Sequence, residues 1–261
     1  MADTLRSHGN VALAIEGAVA TVTFDRPEAR NAITFEMYRQ LGDICDTLDA
    51  TPGLRAIVFR GNGGAFVAGT DISEFTAFEG GADGVAYEAR IAATIARVES
   101  LPAPTLAVIE GAAMGGGLVI ATACDLRIVT PEARFGVPIA RTVGNCLSQA
   151  NAARLVRAFG VGPAKTMLLL SQALDGETAH RLGFATACVA PGALEDEVAR
   201  SLDRLCKAAP LTIAACREMF ANLEPETPDD AAIVARIYGS KDFREGVDAF
   251  LSKRKPEWSG S

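Results

Sequence analysis

Apolar and polar residues alternate along "VALAIEG" (11–17) and "AVATVTFDR" (18–26), two β-rich runs, with Gly17 between them as the turn of a hairpin. Polar "RPEARN" (26–31) follows as a loop. From Thr34, whose hydroxyl suits an N-cap, Met37, Leu41, Ile44 and Leu48 recur at helical spacing and mark one apolar face. "RAIVFRG" (55–61) predicts a short strand, and the glycine-rich "GNGGAFVAGTD" leads to "ISEF", with Asp71 placed to cap it. An alanine-rich helix over about 84–100 ends at "LPAP" (101–104), which delivers the strand "TLAVIEG" (105–111). Gly115, Gly116 and Gly117 then open an apolar helix, followed by strands in "DLRIV" and "ARFGV" and by helices to about residue 190. Strands alternating with helices argue an α/β fold over 1–191. From Gly192 every segment reads helical, punctuated by Pro210, Pro225 and Pro228, so 192–261 is expected to form a C-terminal helical subdomain. No fixed-period repeat interrupts this order.

Composition narrows the partners. A chain of 261 residues with 49% hydrophobic side chains can bury a full core. A formal charge of -7 excludes nucleic acid as the main partner, because phosphate binding needs a net basic face. Only Lys253, Arg254 and Lys255 form a local basic cluster. The polar "MADTLRSHGN" carries no apolar signal core, and no apolar run is long enough to span a bilayer, so a cytoplasmic protein without a membrane partner is expected. Six cysteines without a C-x-x-C pair, beside only His8 and His180, offer no zinc-type ligand set. Most of them read as reduced, buried small hydrophobes.

Three consecutive glycines carry a large backbone-entropy cost, so something is expected to approach that backbone closely. A strand ending in glycines and opening a helix presents unpaired N–H groups at the positive end of a helix dipole, a place for an anion or a developing oxyanion. A tight strand-to-helix turn with close packing is the competing explanation. In the other glycine loop Thr70 precedes the cap Asp71, and its N–H supplies a second donor. Two such donors converging on one carbonyl oxygen would form an oxyanion hole.

At this point the chain resembles the crotonase, or enoyl-CoA hydratase/isomerase, superfamily over nearly its whole length. The resemblance rests on "FDRPEARNAI", "AFVAGTDISEF", "EGAAMGGGLVIATACDLRI", "ARFGVP" and "FREGVDAFLSKRKPEW", in that order. It implies a spiral of ββα units, with C-terminal helices building a homotrimer or a dimer of trimers. It implies an acyl-CoA ligand whose thioester oxygen sits between the N–H groups of Thr70 and Gly116, the catalytic groups. Coenzyme A would enter as part of the substrate, with no permanently bound cofactor and no metal. CoA contacts are implied for Arg26, for Ala65, Val67 and Ala68 beside the adenine, and for Lys253 at the phosphates; a solvated charge run is the alternative for the basic cluster.

The sequence departs from the family at its acids. Hydration of a 2,3-double bond needs one group to deprotonate water and another to protonate C2, and the hydratases use two glutamates. Val119 and Ile139 stand in those places, and no flanking residue restores either. Other polar groups that could face a pocket are Glu74, Arg141, Asn145 and Ser148, the last two reading rather as helix caps. Glu110 reads as structural or exposed, and Cys146 has no adjacent histidine to activate it. Tyr238 reads as core, and "GVGPAKT" (160–166) as helix packing rather than a phosphate loop. Two functions stay open: enolate chemistry on a CoA thioester, of the lyase or isomerase kind, or a catalytically silent acyl-CoA-binding module.

Overall fold

A computed structural model describes residues 10–221, 241, 242, 245, 254 and 256–261. Tyr238 and Lys253, and most of the two last helical segments read from the sequence, lie outside the described residues. The hairpin forms as expected: β1 (Asn10–Glu16) and β2 (Val19–Asp25) pair antiparallel around Gly17, whose φ is 60°. β3 (Ala56–Gly61), β4 (Thr105–Ile109), β6 (Leu126–Val129) and β9 (Ala187–Cys188) extend this pair in parallel, in the order β1-β2-β3-β4-β6-β9. A second sheet joins β5 (Ala112–Met114), β7 (Arg134–Gly136) and β8 (Leu174–Asp175).

Turns in the middle of the chain each contribute a strand to the large sheet, a short strand or bridge to the second, and then a helix. β4, β5 and α3 (Gly116–Ala123) make one such unit; β6, β7 and α4 (Gln149–Phe159) make the next. β3 is followed by a bridge from Val67 to Ala113 and then by α2 (Gly81–Glu99), a unit of the same plan. The spiral of ββα units is therefore present. The sequence reading missed β5, β8 and β9, because two- and three-residue strands are too short to show alternation.

The parallel strands are buried on both faces. Ile57, Phe59, Ala107 and Ile109 point into the main core with Phe24, Phe66, Phe135 and the apolar face of α1 (Phe35–Asp49). The intervening Val58, Leu106 and Val108 point the other way, where α7 (Leu194–Lys207) lays Leu194 and Val198 on them. The first helix of the segment assigned to a C-terminal subdomain is thus a layer over the sheet. α8 (Pro210–Ala221) follows it and is tied back by Arg217, which binds Asp125 and the Leu101 carbonyl.

Local chemistry accounts for the helix starts. Thr34 Oγ1 accepts from Met37 N at 3.1 Å, and Asp71 accepts from Ser73 N at 3.0 Å. The "ISEF" segment is a 3-10 turn, Ile72–Ala77. α2 begins three residues before the predicted position because Asp83 accepts from the N–H groups of Glu79 and Gly80, organising the glycine-rich entry. The cysteines correct the sequence reading. All six are free, but only Cys45 and Cys124 are buried, while Cys146 and Cys216 are exposed, the former in the irregular loop after β7 and the latter on α8. "GVGPAKT" enters α5 (Val161–Leu169), which packs on α4, as the helix-packing reading holds. No helix among the described residues is long and apolar enough to cross a membrane.

Candidate active site

Asn31 organises the first glycine loop. It is fully buried at φ 58°, its Oδ1 accepts from Arg26 N, and its Nδ2 donates to the carbonyls of Asn62 and Ala65. The Arg30 carbonyl accepts from Ala68 N. Ile33 then brackets Thr70: Ile33 N donates to the Gly69 carbonyl and Asp71 N donates to the Ile33 carbonyl, a parallel bridge. In such a bridge the residues on either side of Thr70 make the bonds, so the N–H of Thr70 itself turns to the opposite side. Among the described residues it has no backbone acceptor.

The second loop is fixed as tightly. Gly115 lies at φ 49° and ψ -119°, a region closed to side chains with a Cβ, and donates its N–H to the Gly136 carbonyl. α3 begins at the next residue and its first bond runs from Val119 N to the Gly115 carbonyl. The Gly116 N–H, in the first turn, therefore has no backbone acceptor among the described residues.

What crowds the triplet is chiefly the protein itself. A Cβ on Gly117 would sit 2.6 Å from Val67 Cβ and collide with the Val67 carbonyl. A Cβ on Gly116 would overlap Tyr38 Oη and stand 3.1 Å from Thr70 Oγ1, and one on Gly115 would meet the Gly69 Cα at 3.9 Å. The glycines let the two loops press together. Tyr38 Oη lies 3.1 Å from Thr70 Oγ1, which lies 2.9 Å from Tyr87 Oη, so three hydroxyls join α1, the Thr70 loop and α2. Burial, then the neighbouring phenol, raises the pKa of Tyr38 far above the usual range; burial also raises that of Tyr87. Both stay neutral hydrogen-bonding groups at ordinary pH.

Thr70 and Gly116 line a cavity of about 200 Å³. Its apolar wall includes Phe75, Ile91, Leu147 and, decisively, both Val119 and Ile139. The two positions where the resemblance places glutamates do face the cavity and are apolar. Polar groups reach it from Tyr87, Glu88, Thr142, Asn145 and Asn151. Asn151 is 1% exposed; its Oδ1 accepts from Arg154 Nη1, and Arg154 is paired with Glu99.

Of the residues singled out in the sequence, Thr70, Gly116, Ala68 and Asn145 line the cavity, while Glu74, Arg141 and Ser148 are not among its lining residues. Ser148 instead caps α4, accepting from Asn151 N, and Glu74 sits in the 3-10 turn with its N–H on the Asp71 carbonyl. Arg26 turns its Nη1 to Asp71 Oδ2 at 2.7 Å and to the Ala32 carbonyl. Burial raises the Asp71 pKa, but hydrogen bonds from Ser73 and Arg26 outweigh it and hold the carboxyl below its usual range. Ala65 and Val67 are buried, Glu110 is half-buried, and Arg254 pairs with Glu245. Tyr38, Tyr87, Glu88 and Asn151 were not found from sequence. Tyr38 follows Met37 on an apolar helix face and reads as core, whereas Glu88 stands three and seven residues before Ile91 and Ile95, so an acid on the apolar stripe of α2 is the one signal the pattern carries.

Comparison with known proteins agrees with this architecture. The family pattern for enoyl-CoA hydratase/isomerase matches residues 14–261. The chain is 32% identical to a probable enoyl-CoA hydratase of Bacillus subtilis, covering 96% of this chain and 98% of that one. It is 30% identical to the short-chain-enoyl-CoA hydratase of Clostridium acetobutylicum, with 95% and 97% covered. A crystal structure described as an enoyl-CoA hydratase/carnithine racemase from Magnetospirillum magneticum superposes with a TM-score of 0.90, at 31% identity and 96% coverage of both chains. With the pattern matched from the first hairpin to the C-terminus and the spiral reproduced, the chain belongs to the enoyl-CoA hydratase/isomerase family.

Proposed function

We propose that this protein polarises the carbonyl of an acyl-CoA thioester between the N–H groups of Thr70 and Gly116 and stabilises the enolate that forms when a C2 proton leaves. The observation that carries this reading is that two backbone donors, each left unpaired by the bonds of its own neighbours, open on one cavity. Such preorganised donors are typically worth about 3–4 kcal/mol each in the transition state. Paired-carboxylate hydration is not available, because Val119 and Ile139 occupy the wall where the two acids would stand. Coenzyme A arrives with the substrate, its adenine beside Ala65–Ala68, and the protein assembles as a trimer or dimer of trimers; both statements rest on the family resemblance.

The test is isotope-edited infrared spectroscopy of a bound acyl-CoA carrying ¹³C at the thioester carbonyl. The stretch is expected to move to lower frequency on binding. The shift should disappear in Gly116→Pro made in a Tyr38→Phe background, where the N–H is removed without colliding with the phenol oxygen. A bound thioester whose carbonyl frequency equals that in water refutes the reading. The two apolar wall residues also support a second reading, a silent acyl-CoA-binding module. Incubation with enoyl-, 3-hydroxyacyl- and malonyl-type CoA esters separates the two: tight binding with no conversion favours the module.

A further inference from the structure

Glu88 is the sole carboxylate among the described residues that line the cavity. It lies on α2 one residue after Tyr87, whose hydroxyl touches the Thr70 side chain. Its Oε2 accepts from the backbone N–H of Ser148 at 2.7 Å, which anchors the carboxylate to the start of α4. Its other oxygen has no protein hydrogen bond among the described residues. Its charge acts on the hydroxyls of both Tyr38 and Tyr87, the groups that hold Thr70. The position belongs to none of the motifs that mark the family.

We infer that Glu88 is the catalytic acid–base of this protein, replacing from α2 the carboxylates missing at Val119 and Ile139. The inference rests on the thioester reading above. In the step, a Glu88 carboxylate oxygen takes a C2 proton, the C–H electron pair moves into the C1–C2 bond, and the carbonyl π pair moves onto oxygen at the two N–H donors. Return of the proton from the Glu88 carboxylic acid re-forms a C–H bond. With a 3-enoyl thioester the same acid can deliver that proton to C4, which shifts the double bond to C2. Neither water nor a second acid is required. One carboxylate thus suits proton transfer within the acyl chain, whereas adding water across the double bond calls for two positioned groups.

The anchoring bond supplies a clean control. Glu88→Gln keeps an oxygen able to accept from Ser148 N, so a merely structural Glu88 would tolerate the change; only proton carriage is lost. The experiment follows hydrogen–deuterium exchange at C2 of but-3-enoyl-CoA in D₂O by mass spectrometry, with affinity measured separately by calorimetry. Wild-type protein is expected to exchange above the rate of the free thioester. Glu88→Gln should keep affinity within about threefold and lose roughly 10²- to 10⁴-fold in exchange rate. Formate should restore part of the exchange in Glu88→Ala. Wild-type exchange in Glu88→Gln overturns the assignment. If that variant exchanges normally while Gly116→Pro in the Tyr38→Phe background does not, the Glu88 assignment falls and the oxyanion reading stands. If wild-type protein binds the probe with its carbonyl frequency shifted but catalyses neither exchange nor conversion to but-2-enoyl-CoA, Glu88 is likewise refuted as the acid–base. An unshifted carbonyl refutes the thioester reading itself.

Discussion

The contact between Gly116 and Tyr38 makes a coupled pair whose energetics can be worked out in advance. A methyl group at Gly116 overlaps Tyr38 Oη, while the next atoms are Thr70 Oγ1 at 3.1 Å and Tyr38 Cζ at 3.6 Å. Tyr38 is 1% exposed and belongs to the packed face of α1, so its oxygen can retreat the roughly 1 Å needed for ordinary contact only by moving the ring or the helix. Overpacking of this kind costs about 1–3 kcal/mol, and the lost bond to Thr70 about 1 kcal/mol more. The helix-propensity gain of alanine, up to about 1 kcal/mol, offsets part of this. Gly116→Ala should therefore destabilise by about 1–3 kcal/mol.

Tyr38→Phe alone removes one hydrogen bond and leaves the Thr70 hydroxyl its contact with Tyr87, a loss of about 1 kcal/mol. In the double variant the colliding oxygen is gone and the nearest ring carbon stands at ordinary distance, leaving only the slight squeeze on Thr70. The double variant should be no less stable than Gly116→Ala, which gives a favourable coupling of about 1–2 kcal/mol, above the 0.3–0.5 kcal/mol scatter of independent sites. Urea denaturation of the four proteins measures it, provided the slopes agree. Additive losses would show that Tyr38 does not fill the space under Gly116, and with that the linkage between the two donor loops would fail.

Other substitutions test the frame of the site. Asn31→Ala leaves the Asn62 and Ala65 carbonyls without their amide donor in a fully buried position, so a loss of about 2–4 kcal/mol is expected in denaturant titration; a change below 0.5 kcal/mol would remove Asn31 as the organiser of the loop. Gly117→Ala drives a Cβ into the carbonyl and side chain of Val67, and the expected result is little folded protein at 37 °C by circular dichroism. A normal melting curve would contradict that packing. The Asp71 carboxyl titrates below its unfolded value, so its contribution is complete above the unfolded pKa and is lost as pH falls through the folded one. The stability difference between wild type and Asp71→Asn should therefore be constant near neutrality and shrink below about pH 4; a difference that grows with acid would reverse the sign assigned here.

Much of this was legible in the sequence because the elements are long or capped by short-range chemistry. The hairpin around Gly17, α1 behind Thr34 and the cap at Asp71 all follow from neighbours within a few residues. The two donor loops were legible as glycine-rich turns, but the reason for the glycines was not. Gly116 and Gly117 make room for Tyr38 and Val67, which are distant in sequence and meet only when α1 and the Val67 bridge are in place. The same distance hid the hydroxyl chain. The bond from Arg26 to Asp71 was equally hidden, because the two lie 45 residues apart and only the fold joins them.

On the proposed thioester reading, the departure that bears on hydration lies in two cavity-facing side chains. Val119 and Ile139 remove the acids but leave the loops that aim the N–H groups of Thr70 and Gly116, since neither side chain supports those loops by a hydrogen bond. Their effect on the remaining chemistry is favourable. Apolar walls beside the donors lower the local dielectric and exclude water, which strengthens each N–H bond to a developing negative oxygen. Hydration would also need a second positioned group to act on water, which the two apolar residues do not supply. On the proposed reading such a site favours reactions in which the enolate is made and reprotonated within the acyl-CoA itself, the chemistry that a single carboxylate on α2 would serve.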